Sequence, residues 1–260
     1  MDRARMWARR QLLEAAAPLA AAALLPLHAR AARADALAVA AVEGPDRLRL
    51  EDGRIARLLG YVVPGDLSPA PPALSFVEPV RRRLASLVEA GGLALEVVGV
   101  DRYERVEVVA RSAEGRLVAA VLVEEGLAWA WADGLPLTIG RALLEAEGRA
   151  RAAGRGLWAL PSLAEQEARG IAAEPVRFVV AVGTVARIGR GERFLYLDLG
   201  PDRRGDLSVR IPTGALSAFR KAGLRPDRLE GRRLRVRGWL FAARGPMIET
   251  EDPLSIEVLG

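Results

Sequence analysis

The chain has no cysteine, a single histidine (His28) and a single lysine (Lys221) among its 260 residues. Without cysteine there are no disulfides, no thiolate nucleophile and no Cys-ligated zinc. His28 falls inside a stretch that reads as a removable leader, so the remaining chain has no imidazole. That excludes Ser-His-Asp triads and His metal sites. Aromatic residues are sparse, and Trp129, Trp131, Trp158 and Trp239 read as core or domain-contact residues. Beyond residue 34 no apolar run reaches the roughly 20 residues of a helical membrane span.

The first 34 residues read as an export signal. Arg3, Arg5, Arg9 and Arg10 form a basic start, an apolar run follows over 12–27, and Ala29-Arg30-Ala31 and Ala32-Arg33-Ala34 offer small-residue cleavage sites. The pair Arg9-Arg10 resembles a twin-arginine signal. The alternative, an uncleaved anchor, is disfavoured by the short apolar run. An exported protein, periplasmic or secreted, is expected.

Net charge is +5, but it is unevenly divided. Residues 1–34 carry +4, residues 35–174 carry −5, and residues 175–260 carry +6. The acidic half is poorly suited to holding a polyanion, and the basic half is better suited.

The hydrophobic pattern divides the chain in two. Strands are expected at 37–42, 46–50 and 55–63, with Asp52-Gly53 as a tight turn. A Pro-rich loop over 64–72 precedes a helix at 78–90, stopped by Gly91-Gly92. Strands at 93–98 and 105–111 and helices at 116–125 and 139–153 complete this part. A linker over 161–174, partly helical, leads to strands at 176–188, 193–199 and 207–211, a short helix at 215–222, and strands at 234–241 and 247–258. The fold class is mainly β with helices (α+β): two five-stranded OB-type barrels, the first with helices packed on it. The expected organisation is a leader at 1–34, a first barrel domain at 35–160, the linker, and a second barrel domain at 175–260.

The segment Arg57-Leu58-Leu59-Gly60-Tyr61-Val62-Val63-Pro64-Gly65 resembles the "RLLGIDAPE" signature of the thermonuclease family, the staphylococcal-nuclease-like proteins. The resemblance runs from about residue 42 to 158. Asp101-Arg102-Tyr103-Glu104-Arg105 is similar to the family's Asp-x-Tyr-Gly-Arg, and Arg155-Gly156-Leu157-Trp158 to its RGLW end. The family fold agrees with the first barrel. By resemblance, Arg57 and Arg105 take the places of arginines that contact the scissile phosphate, and Asp46 is the surviving metal-ligand position. Guanidinium suits phosphate because it is always charged and donates in a fork. The family's aspartate and glutamate are replaced by Val62 and Gly65, its first strand aspartate by Glu43, and its turn glycine by Glu104. A hard cation such as Ca²⁺ needs several oxygen ligands, so the replacements point to a degenerate site. Two readings follow for the arginines: a phosphate clamp, or ion pairs with Asp46 or Asp101. Ca²⁺ enters only if Glu43 or Asp66 supplies a relocated carboxylate to an active nuclease.

In the second barrel, Gly231-Arg232-Arg233-Leu234-Arg235-Val236-Arg237-Gly238 resembles the fourth strand of small bacterial OB domains. Alternation places Arg233, Arg235 and Arg237 on one strand face, opposite Leu234 and Val236. Phe194 and Tyr196 share a face of a neighbouring strand. Together with Arg210, these residues form either a stacking platform for single-stranded nucleic acid or a solvated basic face over core aromatics. The expected protein is therefore an exported, degenerate thermonuclease-like protein that binds nucleic acid or an envelope partner. An active Ca²⁺-dependent nuclease is the alternative, and a purely structural interaction module a third reading.

Overall fold

The computed structural model describes residues 37–66, 75–173 and 175–260. The leader expected at 1–34 and most of the Pro-rich loop lie outside the described residues. The described residues make one compact unit, and no helix among them is long and apolar enough to cross a membrane.

The first sheet contains β1 (Val39–Val42), β2 (Arg47–Leu50), β3 (Ile55–Leu58), β5 (Leu93–Val100) and β6 (Val106–Ser112). Their order is β1-β2-β3-β6-β5, with β3 and β6 parallel and the other pairs antiparallel. This is the strand order of an OB barrel; among the described residues no ladder joins β5 to β1. Inward residues alternate as the pleat demands: Leu48, Leu50, Ala56, Leu58, Val106 and Val108 are buried. Helix α1 (Val77–Glu89) lies between β3 and β5 and buries Val80, Leu84 and Leu87. Helices α2 (Val118–Glu124) and α3 (Leu137–Ala152) complete the core.

The strand expected over 55–63 breaks at Leu59. Its amide donates to Val108 O (3.0 Å), and the chain then leaves the main sheet as β4 (Gly60–Val62). There it pairs with β7 (Trp129–Trp131), a strand too short to show a pattern in sequence. The Arg155–Trp158 segment is held by a close backbone crossing: Leu157 N donates to Gly126 O (2.9 Å). A Cβ on Gly156 would stand 2.2 Å from Gly126 O, so only glycine fits.

In the second barrel the expected strand 176–188 is bent, as β9 (Arg177–Thr184) and β10 (Arg187–Arg190). The first half pairs with β13 (Arg233–Ala242) and the second with β11 (Phe194–Asp198). Strand β12 (Ser208–Pro212) pairs antiparallel with β11 and parallel with β14 (Pro246–Glu249), which returns to β13. The order β9/10-β11-β12-β14-β13-β9 closes a five-stranded OB-type barrel. Helix α4 (Leu216–Lys221) follows β12, and β15 (Ile256–Val258) adds to β13.

The stretch expected as a partly helical linker is bound into the fold. β8 (Gln166–Glu167) runs parallel to β9, and Leu163, Ala168 and Ile171 are buried. Their apolar side chains explain why this stretch packs rather than hangs free. A third cluster joins the two barrels: Trp129, Leu157, Trp158 and Leu163 with Phe178 and Val180, and Val62, Trp131 and Trp239 around them. The Phe178 ring is 5.4, 5.3 and 5.7 Å from those of Trp129, Trp131 and Trp239. The tryptophans are core and contact residues, as their apolar bulk implies.

Candidate functional site

Three elements of the first sheet carry the nuclease-like constellation. Arg47 pairs across the ladder with Arg57, and Arg57 with Glu107, so the three form a row on the outer face of β2, β3 and β6. Arg57 Nη1 donates to Glu107 Oε1 (2.9 Å), and its Nε lies 3.6 Å from Asp46 Oδ2. Arg47 Nε lies 3.8 Å from Asp46 Oδ1. Arg105 Nε donates to Asp101 Oδ2 (2.7 Å). The amides of Tyr103 and Arg105 donate to Asp101 Oδ1 at 2.8 and 3.0 Å. Burial alone would raise the Asp101 pKa, but these bonds outweigh it and hold the carboxyl below its usual value. Glu104 keeps the left-handed turn of a glycine (φ 62°), and the Tyr103 ring lies 5.2 Å from the Arg105 guanidinium. Each arginine is therefore ion-paired. Glu107, which does most to engage Arg57, was not singled out by sequence; its alternation with Val106 and Val108 on β6 was the available signal.

Glu43 and Asp66 are the acids expected to supply a relocated carboxylate. Asp66 is in electrostatic range of Asp46, Arg47, Arg57 and Arg105; burial and then Asp46 push its pKa up against the pull of the arginines. Glu43 is engaged by Arg49 instead. Asp46 Oδ1 is buried with no hydrogen-bond partner among the described residues, yet those residues include no group of three acids or imidazoles able to hold a metal. Six to eight oxygens are needed for Ca²⁺; Asp46 and Asp66 do not supply them, so the donor set does not fit the ion. Val62 stands opposite Trp129 and joins the inter-barrel cluster. Gly65 has φ +88°, and a Cβ there would stand 2.6 Å from Ser75 Oγ. Both acid positions are thus occupied by local packing.

The residues expected to form one platform on the second barrel are placed on two flanks. Arg233, Arg235 and Arg237 do share the outer face of β13, opposite buried Leu234 and Val236. That flank faces the first barrel and the 161–174 stretch. Arg233 pairs with Glu167, Arg235 with Glu165 and Glu257, and Arg237 with Glu147 and Glu257. Arg237 is 2% exposed, and Glu147, on α3, is fully buried. Burial opposes the Arg237 charge, but the two carboxylates prevail and raise its pKa. Arg237 thus ties β13 to α3 of the first barrel, while Arg235 ties β13 to Glu165 and to β15, so both guanidiniums expected on the platform are engaged within the fold.

Phe194, Tyr196 and Arg210 lie together on the other flank. Tyr196 pairs with Arg210 across the β11–β12 ladder. The Phe194 and Tyr196 rings are 6.1 Å apart, and the Arg210 guanidinium lies 4.8 Å from the Phe194 ring and 5.1 Å from the Phe241 ring. Glu249 pairs with Arg210. Phe241 went unnoticed in sequence, although it continues the outward alternation of the β13 arginines. Arg187 shares this face through its ladder with Asp198, Arg203 pairs with the same Asp198, and Arg190, Arg193, Arg204 and Arg244 are exposed as well, Arg190 pairing with Asp227.

Residues 56–160 match the model of the family described as staphylococcal nuclease homologue. The match covers the first barrel from β3 onward with its helices, less than half of the chain. The match includes Arg57, Arg105 and the Arg155–Trp158 end, and starts beyond Asp46. No curated protein matches the chain at a significant level.

Proposed function

We propose that this is an exported protein in which a nuclease-type barrel has lost phosphodiesterase activity and the second barrel binds single-stranded nucleic acid. The loss of catalysis rests on one observation: the two acid positions of the family signature are Val62, packed against Trp129, and Gly65, in a left-handed turn against Ser75. The first barrel then acts as a scaffold, its arginines neutralised by Asp46, Asp101 and Glu107. A nuclease with relocated carboxylates could draw on Asp66 beside Asp46, but two carboxylates fall short of a Ca²⁺ shell.

Binding by the second barrel is supported by the outer face of β11 and β12, the strands through which OB barrels receive oligonucleotides. Phe194 and Tyr196 offer ring faces for stacking, worth about 1–3 kcal/mol per base, and the surrounding arginines supply charge for the phosphates. Binding of a labelled oligothymidylate to the full chain tests this. Phe194→Ala/Tyr196→Ala is expected to weaken it at least tenfold. An equal affinity in the folded variant would reject this face, and would leave an envelope protein as the partner to seek.

A further inference from the structure

Two arginines on the second barrel converge on one buried carboxylate. Asp198, at the end of β11, is 2% exposed. Its Oδ1 accepts from Ser208 Oγ (2.8 Å), and its Oδ2 accepts from Arg187 Nε (3.1 Å) and Nη2 (2.7 Å). Arg203 Nε stands 3.1 Å from the same Oδ2, yet the Arg203 side chain donates no hydrogen bond among the described residues. Both guanidiniums are about half exposed, at 49% and 56%. One carboxylate carries one negative charge against two guanidiniums, so a positive charge is in surplus, and the Nη groups of Arg203 form no hydrogen bond among the described residues.

The surroundings add to that surplus. The β13–β14 turn packs against the backbone of the 200–206 loop: a Cβ on Gly245 would lie 2.5 Å from Arg203 O and 3.1 Å from Arg204 O. Arg244 precedes Gly245 at this crossing, and neither Arg244 nor Arg204 forms an ion pair among the described residues. The nearby acids are turned to other work. Asp202 Oδ1 accepts the Arg204 amide, and Asp206, itself buried, accepts the amides of Gly170 and Asp202. The cluster also adjoins the aromatic face. A Cβ on Gly189 would touch Tyr196 Cβ at 3.5 Å and lie 4.0 Å from Arg203 Nη2, so the absence of a side chain there leaves the Arg203 guanidinium next to Tyr196.

We propose that Arg187 and Arg203, fixed by Asp198 and reinforced by Arg204 and Arg244, are a phosphate anchor at one end of the aromatic face. The ligand class is a phosphate ester of a single strand whose bases lie on Tyr196 and Phe194; the proposal rests on the nucleic-acid reading of that face. Asp198 holds the Arg187 fork in place before binding, and Arg203 offers its free donors to the phosphate. The source of the phosphate is either a terminal monoester or an internal diester.

The test is fluorescence anisotropy of the full chain with a labelled oligothymidylate, with and without a 5′-phosphate, over a range of salt. Each phosphate contact contributes about −0.7 to the slope of log K against log salt for a single strand. Arg187→Ala/Arg203→Ala is expected to flatten that slope by about 0.7 or more, whereas Arg220→Ala/Lys221→Ala, remote from the face, leaves it unchanged. Arg204→Ala/Arg244→Gly keeps the partners of Asp198 and is expected to flatten the slope as well, so the test stands if the first variant does not fold. A 5′-phosphate gain that vanishes in the variants assigns a terminal monoester; equal affinity with a flattened slope assigns an internal diester. Unchanged slopes in folded variants, or equal flattening by the remote pair, would overturn the anchor while leaving the nucleic-acid reading intact. No binding by the unaltered chain would reject both.

Discussion

Arg237 of the second barrel donates to Glu147 of the first, and both side chains are shut away from solvent. Glu147 also accepts the Ala130 amide (2.8 Å), so one carboxylate ties together α3, β7 and β13. This pair, with the Trp129–Phe178 contact beside it, makes the two barrels a single packed body.

Breaking that pair from one side leaves the buried Arg237 guanidinium with Glu257 alone. Glu147→Ala is expected to destabilise the protein by up to about 3 kcal/mol. Glu147→Leu/Arg237→Met replaces both charges with apolar groups and should cost less than the sum of the two single changes. Chemical denaturation of the four proteins measures this. Additive costs would show that the two side chains act independently.

Reinstating the family acids is expected to damage the fold instead of restoring cleavage. Val62→Asp puts an unpaired carboxylate into the inter-barrel cluster, at a cost of roughly 1–3 kcal/mol or more. Gly65→Glu adds a side chain in a left-handed turn, which costs about 1–2 kcal/mol in the backbone alone, and crowds Ser75. The double variant should have a lowered melting temperature and no cleavage with added Ca²⁺. Cleavage by a stable double variant would mean that only the two acids were missing.

Asp133 sets a pH dependence. Burial, and then the charges of Asp252 and Glu251, push its pKa up to about 6. Its folded-state pKa lies above the unfolded value of about 3.9. Between those values the folded chain binds the proton more tightly, so stability falls as pH rises through about 4 to 6. Above that window the ionised Asp133 costs about 1–2 kcal/mol, discounted for its partial exposure. Asp133→Asn should therefore be more stable than the parent at pH 7 and lose its advantage near pH 4. Parallel pH–stability curves for the two proteins would contradict this.

The main strands of both sheets were legible because alternation and turn signals agree along them; Leu48, Leu50, Ala56 and Leu58 face inward as their spacing requires. The nuclease-like signature was legible through Arg57, Arg105 and the glycine before Trp158. What sequence could not reveal was which outward residues meet another surface. Arg233, Arg235 and Arg237 alternate as a solvated face would, and only the fold brings Glu147, Glu165, Glu167 and Glu257 against them. The bends at Leu59 and between β9 and β10 were likewise hidden, because a strand that changes partners keeps its apolar pattern. The packing of the stretch that links the barrels was hidden as well: Leu163, Ala168 and Ile171 are scattered among polar residues, yet each is buried.

A nuclease-type barrel with Val62 and Gly65 at the family's acid positions is expected not to cleave. The direct measurement is digestion of single- and double-stranded DNA and RNA by the purified full chain, with Ca²⁺ and with chelator, beside Arg57→Ala/Arg105→Ala. The account predicts no cleavage above that variant's background under either condition. Chelator-sensitive cleavage that disappears in the variant would contradict it, and would mean that Asp46 and Asp66 complete a metal site with ligands beyond their own.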